Sequence, residues 1–242
     1  LKSQIEITLL TAIFIVSTII SELLIKKGFK PDGVAGHSLG EYSALVAAQG
    51  IDFKTGLELV KIRSESMAKA GEDIPGTMAA IIGIEDNKVE SICKKTPGIV
   101  VAANYNCPGQ LVISGAVEAV KKACKALTEA GAKRTLLLPV GGAFHSPLMQ
   151  PAKSKLEKAI ENTRFNKPSC PVYQNVTARG SSDPDLLKSN LVAQLTAPVR
   201  WTQSVQQMIS DGAVSFIEVG PGKVLQGLVK KIDRSMETQS GS

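Results

Sequence analysis

The spacing of apolar residues along the chain changes between helical and strand periods, which predicts short strands interleaved with helices. The first pattern is an uncharged run over residues 7–21, bracketed by Glu6 and Glu22, and it predicts a long helix that ends near Gly28. The run is shorter than the ~18 residues expected of a membrane span, and no small-residue cleavage site of a signal peptide follows it. We therefore expect a helix that is buried on most of its sides.

A compact block of strand and helix patterns occupies the middle of the chain. A Pro-Gly turn at residues 108–109 separates two strand patterns, and Val117, Val120 and Leu127 recur at helical spacing. The elements of the block follow in the order βαββαβ, which is typical of a ferredoxin-like arrangement. We predict a small ferredoxin-like subdomain over residues 75–140.

Strands and helices also alternate before and after this block. Residues 33–36 and 215–219 are short apolar stretches typical of strands, and a helical pattern follows each of them. Short loops between alternating strands and helices imply a mostly parallel sheet with helices on both faces, so we predict a hydrolase-like α/β fold. We assign a discontinuous large subdomain to residues 1–74 and 141–236, and a polar tail to residues 237–242.

Composition narrows the classes of function. The chain has 242 residues, of which 43% are hydrophobic and 21% charged, as in a globular protein. The net charge of +6 is dispersed over pairs of basic residues without interleaved aromatic residues, which favours an acidic protein or a phosphate-bearing ligand at least as much as nucleic acid. Four cysteines without Cys-x-x-Cys spacing, and two histidines, predict no metal site and thiols in a reducing compartment.

Each of the two histidines lies beside a serine. His37 is in the string Gly-His-Ser-Leu-Gly at residues 36–40, which matches the Gly-x-Ser-x-Gly turn between a strand and a helix. The Ser38 hydroxyl needs a base within hydrogen-bond reach, and His37 cannot supply it because neighbouring side chains of an extended segment point to opposite sides. His145 is then the candidate base for a nucleophilic Ser38. The amide of Leu39, at the start of the helix, can donate to a developing oxyanion.

No acidic residue stands out as the third member of a catalytic triad. Asp52, Asp73 and Asp86 lie between Ser38 and His145 in the chain, all at helix starts or in loops. A carbonyl oxygen can orient the imidazole instead.

Arg63 is an unusual residue on its predicted helix. It shares a face with Gly56, Val60 and Met67, which is otherwise a face for burial. A buried guanidinium needs a partner, because an unpaired buried charge is costly. The partner is either an acidic residue in a structural salt bridge or a carboxylate of the substrate, gripped bidentately. The residues alone leave both alternatives open.

Several segments together resemble the acyltransferase family of fatty-acid synthesis, the malonyl-CoA:acyl carrier protein transacylases, and the related acyltransferase domains of polyketide synthases. The matching segments follow the family's order, at residues 35–45, 76–81, 104–110, 144–146 and 218–225. The helix-face arginine belongs to the same pattern. The Ala-Phe-His-Ser string at 143–146 resembles malonyl-selective members, and the ferredoxin-like insertion is also a feature of the family.

The resemblance implies a role for each matching residue. Ser38 would take the malonyl group as an ester, and His145 would be the base for that step and for the carrier thiol. Arg63 would pair with the free carboxylate of malonyl. Asn106 matches a residue near the pocket. The main-chain carbonyl of Gln194 would orient the histidine, which accounts for the missing acid.

The activity implied is a ping-pong transfer of malonyl from malonyl-CoA to the phosphopantetheine thiol of an acidic acyl carrier protein. It would need no metal or other cofactor. We expect a cytoplasmic monomer that binds neither nucleic acid nor membrane. Two alternatives stay open: a serine hydrolase or thioesterase with the same Ser38 and His145 and no need for Arg63, and a truncated, non-catalytic remnant.

The second alternative follows from a difference between this sequence and the family. Family members begin with a strand and a Gly-Gln-Gly-Ser-Gln loop, whose glutamine amide is the second oxyanion donor. That string does not occur here, and Leu1 to Thr11 match the family poorly. We therefore expect an incomplete oxyanion hole around a complete serine–histidine pair, and the loss of one donor can lower the rate by about 10²–10³-fold.

Overall fold

The computed structural model of the chain describes residues 2–241; Leu1 and Ser242, at the ends of the predicted large subdomain and polar tail, lie outside the described residues. The helices are α1 Lys2–Lys26, α2 Gly40–Ala47, α3 Phe53–Asp73, α4 Asp86–Lys95, α5 Val117–Glu129, α6 Gln150–Glu161, α7 Pro184–Ala193, α8 Trp201–Ser210 and α9 Val224–Ile232. The strands are β1 Val34–Ala35, β2 Gly76–Ile82, β3 Val100–Cys107, β4 Gln110–Ala116, β5 Arg134–Leu137, β6 Val172–Gln174, β7 Arg179–Ser181, β8 Ser215–Glu218 and β9 Glu237–Ser240.

The middle of the chain forms a four-stranded antiparallel sheet. Its strand order is β3-β4-β2-β5, and the central pair β2–β4 is in register from Gly76↔Ala116 to Ile82↔Gln110. Helices α4 and α5 cover the sheet with an apolar core that includes Ile81, Ile113 and Leu127. The order and the helices are those of the predicted ferredoxin-like arrangement. The boundaries at residues 75 and 140 stay a prediction.

The larger part of the chain combines short strands with a helical core. β1 pairs with β6 in parallel and β6 pairs with β7 antiparallel, while β8 and β9 form a separate parallel pair. A cavity of about 600 Å³, lined by residues of both β1 and β8, lies between the two sheets. Around them, α1, α2, α3, α6 and α7 share one apolar core. The α/β class is confirmed, with its parallel pairs in two sheets instead of one.

Helix α1 corrects one prediction, because it is not buried on most of its sides. It packs on α2 and α3, and its buried residues are Phe14, Ser17, Thr18 and Ser21. Apolar residues on another face are 40% to 60% exposed, namely Ile5, Leu9, Val16, Ile19 and Leu23. By length and composition alone Gln4–Lys26 is long and apolar enough to cross a membrane, as core helices and signal sequences also are. The apolar run predicted the helix correctly and its burial wrongly.

Most of the segment that the sequence assigned to a polar tail forms a strand. Residues 237–240 form β9, which pairs in parallel with β8 through Phe216↔Thr238 and Ile217↔Gln239. The amide of Gly241 continues the contact by donating to the carbonyl of Glu218 at 2.9 Å. Because β9 contains no apolar residue, its alternation of exposed and half-buried positions leaves no hydrophobic pattern in the sequence.

Candidate active site

Ser38 lies on the sharp turn between β1 and α2. Its φ is +53°, a left-handed conformation that is uncommon for residues other than glycine and is often found at functional sites. The turn leaves no room for a side chain at Gly36, where a Cβ would overlap the backbone of Gly40. Asn175, which follows β6, holds the turn from both sides: its Oδ1 accepts from the Ser38 amide and its Nδ2 donates to the Gly36 carbonyl, each at 2.7 Å.

His145 reaches Ser38 from the loop that precedes α6. It is buried, and its Nε2 lies 2.7 Å from the Ser38 Oγ. Its Nδ1 lies 2.9 Å from the carbonyl of Gln194 and 3.2 Å from that of Ala197. Because carbonyl oxygens only accept, Nδ1 carries the hydrogen and Nε2 presents a lone pair to the Ser38 hydroxyl. This tautomer is the one that can take a proton from serine.

Electrostatics keep His145 neutral at physiological pH. Burial and, to a smaller extent, the Arg63 guanidinium lower the pKa of His145 to about 3. Two carbonyl hydrogen bonds at Nδ1 act in the opposite direction. A neutral imidazole can accept a proton, and the two carbonyls would stabilise the imidazolium so formed.

Arg63 is buried beside Ser38 without a salt bridge, although the buried Glu41 carboxylate attracts it electrostatically. Only 1% of its surface is exposed, and its Nη2 donates to the Ser38 Oγ at 2.9 Å. The guanidinium stacks over the ring of Tyr42 at 5.7 Å, which compensates part of the charge. Within residues 2–241 it takes part in no salt bridge, and its Nε has no hydrogen-bond acceptor. The structural salt bridge that the sequence left open is therefore not formed in this part of the chain.

Asn106 and His37 form a second contact, away from the serine hydroxyl. The Asn106 Oδ1, on β3, lies 2.8 Å from the His37 Nε2, so this nitrogen carries a hydrogen. The His37 ring also lies against Trp201, with 5.7 Å between ring centroids. His37 therefore points away from the Ser38 Oγ, and Asn106 touches the turn through the residue before the nucleophile.

Sequence reasoning missed the buried polar residues beneath the turn. Glu41 is fully buried and accepts hydrogen bonds from Gln174, Asn175 and Gln194. An acidic residue in the first turn of a helix is typical of an exposed helix start, so nothing in the sequence indicated that Glu41 is internal. Burial raises the pKa of Glu41 to about 7, although the three N–H donors act to lower it.

The one oxyanion donor that the sequence predicted, the amide of Leu39, lies beside Ser38 in the structure. The amide of Leu39 lies directly before α2, where the first amides of a helix have no partner within the helix. Such amides and the helix dipole stabilise negative charge. A carbonyl group bound beside Ser38 would have its oxygen next to this end of the helix.

The chain belongs to the acyl transferase domain family, whose model matches residues 3–240. Among curated relatives, the malonyl CoA-acyl carrier protein transacylase of Bacillus subtilis is 42% identical over 230 residues, which cover 94% of this chain and 73% of that protein. The transacylase of Haemophilus influenzae is 44% identical over 205 residues, 84% of this chain and 66% of that protein.

Solved structures agree with this assignment. The acyl carrier protein S-malonyltransferase of Vibrio cholerae superposes with a TM-score of 0.93 at 42% identity, covering 97% of this chain and 78% of that one. A malonyl-transacylase solved in complex with a type II polyketide acyl-carrier protein has a TM-score of 0.93 at 39% identity, with coverages of 97% and 77%. The family predicted from the sequence is confirmed.

Proposed function

We propose that this chain transfers a malonyl group from malonyl-CoA to the phosphopantetheine thiol of an acyl carrier protein through an ester on Ser38. Relatives at 42% and 44% identity are malonyl CoA-acyl carrier protein transacylases, and a structural neighbour binds an acyl-carrier protein. The observation that carries the proposal is the buried Arg63 guanidinium, 2.9 Å from the nucleophilic oxygen and without a salt bridge within residues 2–241.

In the first half-reaction, the Ser38 oxygen attacks the thioester carbonyl carbon of malonyl-CoA. His145 Nε2 accepts the hydroxyl proton over the 2.7 Å hydrogen bond, and the Leu39 amide donates to the carbonyl oxygen as it becomes negative. When the tetrahedral intermediate collapses, the carbon–sulfur bond breaks. The CoA sulfur leaves with the proton held on His145, and malonyl remains on Ser38 as an ester.

The second half-reaction reverses these roles with a different thiol. His145 takes the proton from the phosphopantetheine thiol, whose sulfur then attacks the ester carbonyl. Collapse breaks the bond to the Ser38 oxygen, which recovers its proton from His145. His145 gives a proton to the leaving CoA sulfur and takes one from the entering phosphopantetheine thiol, so the enzyme returns to its starting protonation state.

Arg63 accounts for the choice of a carboxylate-bearing acyl group. A guanidinium presents donors in a planar fork that matches a carboxylate, and the free carboxylate of malonyl would supply the directly paired counter-charge that no described side chain supplies. A substrate without this carboxylate, such as acetyl-CoA, would leave the buried charge uncompensated. Selectivity for malonyl follows from that difference.

The remaining expectations stay part of this proposal. We assign Asn106 a place beside the substrate pocket. Asn106 belongs to the small subdomain proposed for residues 75–140. Ser38, Arg63 and His145 belong to the large subdomain proposed for residues 1–74 and 141–236. Within the described part of the chain no cluster of three metal-ligating side chains occurs, and serine–histidine chemistry requires no cofactor. Four free thiols fit a cytoplasmic setting, the net charge of +6 fits an acidic carrier, and we propose a monomer.

The test is exposure of the chain to malonyl-CoA followed by mass spectrometry of the intact protein and of its Ser38 peptide. We expect one malonyl adduct on Ser38 that disappears when phosphopantetheine-bearing carrier protein is added, with malonyl recovered on the carrier. Release of free malonic acid instead would assign the chain to the hydrolases. Absence of any adduct would identify a non-catalytic form.

A further inference from the structure

Glu41 is an internal carboxylate that the reaction described above does not use. It lies one helical turn after Ser38, is 0% exposed, and forms no salt bridge with any basic side chain of residues 4–241. Burial of a carboxylate in this state is tolerated only when several hydrogen bonds satisfy its oxygens. The donors that satisfy Glu41 are therefore informative about its purpose.

Three N–H groups converge on this carboxylate. The backbone amide of Asn175 donates to Oε2 at 2.8 Å, and the side chain of Gln194 donates to the same oxygen at 3.0 Å. The side chain of Gln174 donates to Oε1 at 3.0 Å. Two of the three donors, Asn175 and Gln194, also touch the reacting pair directly.

Asn175 connects the carboxylate to the nucleophile. While its amide is held by Glu41, its side chain brackets the Ser38 turn with two hydrogen bonds of 2.7 Å, one to the Ser38 amide and one to the Gly36 carbonyl. Ser38 occupies a left-handed conformation, which persists only where surrounding contacts enforce it. The Glu41–Asn175 contact is one of those that enforce it.

Gln194 connects the same carboxylate to the base. Its side-chain nitrogen donates to Glu41 and, at 2.9 Å, to the carbonyl of Ser38, while its own backbone carbonyl accepts from His145 Nδ1 at 2.9 Å. One residue thus links the carboxylate, the backbone of the nucleophile and the ring of the base. Its position depends on Glu41 because that carboxylate holds its side chain.

We propose that Glu41 is a positioning residue that sets the distance between Ser38 and His145 by holding Asn175 and Gln194 together. This inference deepens the proposed function and rests on it for its kinetic test. Glu41 itself touches neither the hydroxyl nor the imidazole. Its effect is carried by Asn175 on the side of the serine and by Gln194 on the side of the histidine.

Two glutamines that donate to the same carboxylate give a matched pair of variants. Gln194→Met and Gln174→Met each remove one N–H donor to Glu41 and keep the length of the side chain. Gln194 contacts the Ser38 carbonyl, whereas the other contacts of Gln174 are with Leu187 and Asn190. Each variant therefore removes one hydrogen bond to Glu41, but only Gln194→Met also removes a contact with Ser38.

The kinetic readout is a single-turnover measurement of Ser38 acylation by malonyl-CoA on the full chain. We expect Gln194→Met to lower the maximal acylation rate by about 10- to 100-fold, because an ångström of misplacement between reacting groups has an effect of that order. The half-saturating concentration of malonyl-CoA should stay unchanged, since Arg63 is untouched. Gln174→Met should keep the maximal rate within about threefold of the unmodified chain.

A variant of the carboxylate itself tests the origin of the effect. Glu41→Gln replaces a two-oxygen acceptor by a single oxygen and removes the charge, so at least one of three N–H groups loses its acceptor. We expect a loss of about tenfold in the maximal acylation rate, again without a change in half-saturation. If this variant does not fold, the two glutamine variants decide the question.

A readout independent of activity comes from the histidine rings. The chain contains two histidines, so ¹⁵N-histidine labelling gives two sets of ring signals. The slowly exchanging Nδ1–H signal of His145 should shift or exchange faster in Gln194→Met and stay in place in Gln174→Met.

The outcomes separate this inference from the proposed function. Failure of the unmodified chain to form a malonyl adduct would overturn the function, and the histidine signals would still test the positioning. Equal acylation rates and equal Nδ1–H signals in the two glutamine variants would overturn the positioning while the function stands. A change in half-saturation alone would also contradict it.

Discussion

Two regions of this molecule keep their shape by different physical means. The four-stranded sheet with α4 and α5 is held by a continuous strand ladder and an apolar core, with Ile113 and Leu127 fully buried. The Ser38 turn is held by buried polar groups, with Ser38 and His145 both at positive φ and a fully buried Glu41 beneath them. Apolar packing tolerates small changes, whereas a buried polar network fails when one member is lost.

The difference teaches where stability and activity reside. In the sheet, a lost side chain costs contact area and leaves a cavity, and the cost appears as stability. Around the serine, a lost side chain removes a proton acceptor, a charge or a hydrogen bond that positions them, and the cost appears as activity. Substitutions in the sheet should therefore change mainly the free energy of unfolding, and substitutions around the serine mainly the acylation rate.

The largest expected effect is on the base. His145→Asn should lower the acylation rate by about 10⁴-fold or more, because residues of a serine–histidine unit fail together. Asparagine tolerates the left-handed backbone of this position, so the fold should persist. Acylation is followed by mass spectrometry, and the free energy of unfolding by urea denaturation.

His37→Gln is the control for this variant, since it changes the other histidine. His37 hydrogen-bonds to Asn106 and not to the Ser38 hydroxyl, so its replacement should reduce the acylation rate far less. Comparable losses in both variants would contradict the assignment of the base.

The next effect concerns the buried charge. Arg63→Met keeps most of the side-chain volume and should lower kcat/KM for malonyl-CoA by about 10²–10³-fold, the value of a lost buried ion pair. Activity with acetyl-CoA should rise relative to malonyl-CoA. Stability should be unchanged or higher, because an unpaired buried charge has been removed.

Lys61→Met offers a matched control for the arginine. Lys61 is on the same helix with its side chain 69% exposed, so this substitution should alter neither selectivity nor stability. A retained preference for malonyl in Arg63→Met would contradict the carboxylate contact.

The sheet should respond in the opposite manner. Leu127→Ala removes a fully buried side chain from the core under α5 and should lower the free energy of unfolding by about 2–5 kcal/mol. The maximal acylation rate of the folded protein should stay unchanged. A fall in that rate at temperatures well below the transition would mean that the sheet core and the active site are coupled, against the separation drawn here.

The same contrast explains how much the sequence could predict. Val120 and Leu127 are apolar, recur at helical spacing and are both 0% exposed, so a local pattern recorded their burial. The serine turn was predicted because its glycines and its strand–helix context are local too. Both predictions succeeded because the residues that carry them are close together in the chain.

The rest could not be predicted because it depends on contacts between distant segments. Glu41 and Asn175 are brought together across 134 positions of the chain, and neither belongs to a pattern that marks a buried carboxylate. The exposed apolar face of α1 shows the converse: Leu9 and Leu23 are apolar at helical spacing, but the pattern does not say what covers them. β9 was missed because a strand of polar residues has no hydrophobic alternation.

The smallest expected effect is a pH dependence that distinguishes the two regions. The pKa of His145 is lowered to about 3, whereas an unfolded histidine titrates near 6.5, so between these values the unfolded state binds a proton that the folded state does not. His145 therefore reduces stability as the pH falls through this window. In His145→Asn this contribution is absent, and its stability relative to the unmodified chain should improve by about 1 kcal/mol per pH unit from pH 6 to pH 5.

The difference between the two chains isolates this histidine. Glu41, whose pKa burial raises to about 7, has the opposite sign: its folded form takes up a proton first, so it adds stability as the pH falls from 7 towards 4.5. This contribution is present in both chains and cancels in their difference. Urea denaturation at pH 7, 6 and 5 measures the difference in free energy of unfolding between the two chains. A difference that does not change with pH would contradict a buried, neutral His145. For Leu127→Ala the same difference should be independent of pH, because burial raises the pKa values of the titrating groups in its core, Cys93 and Tyr105, still further above this range.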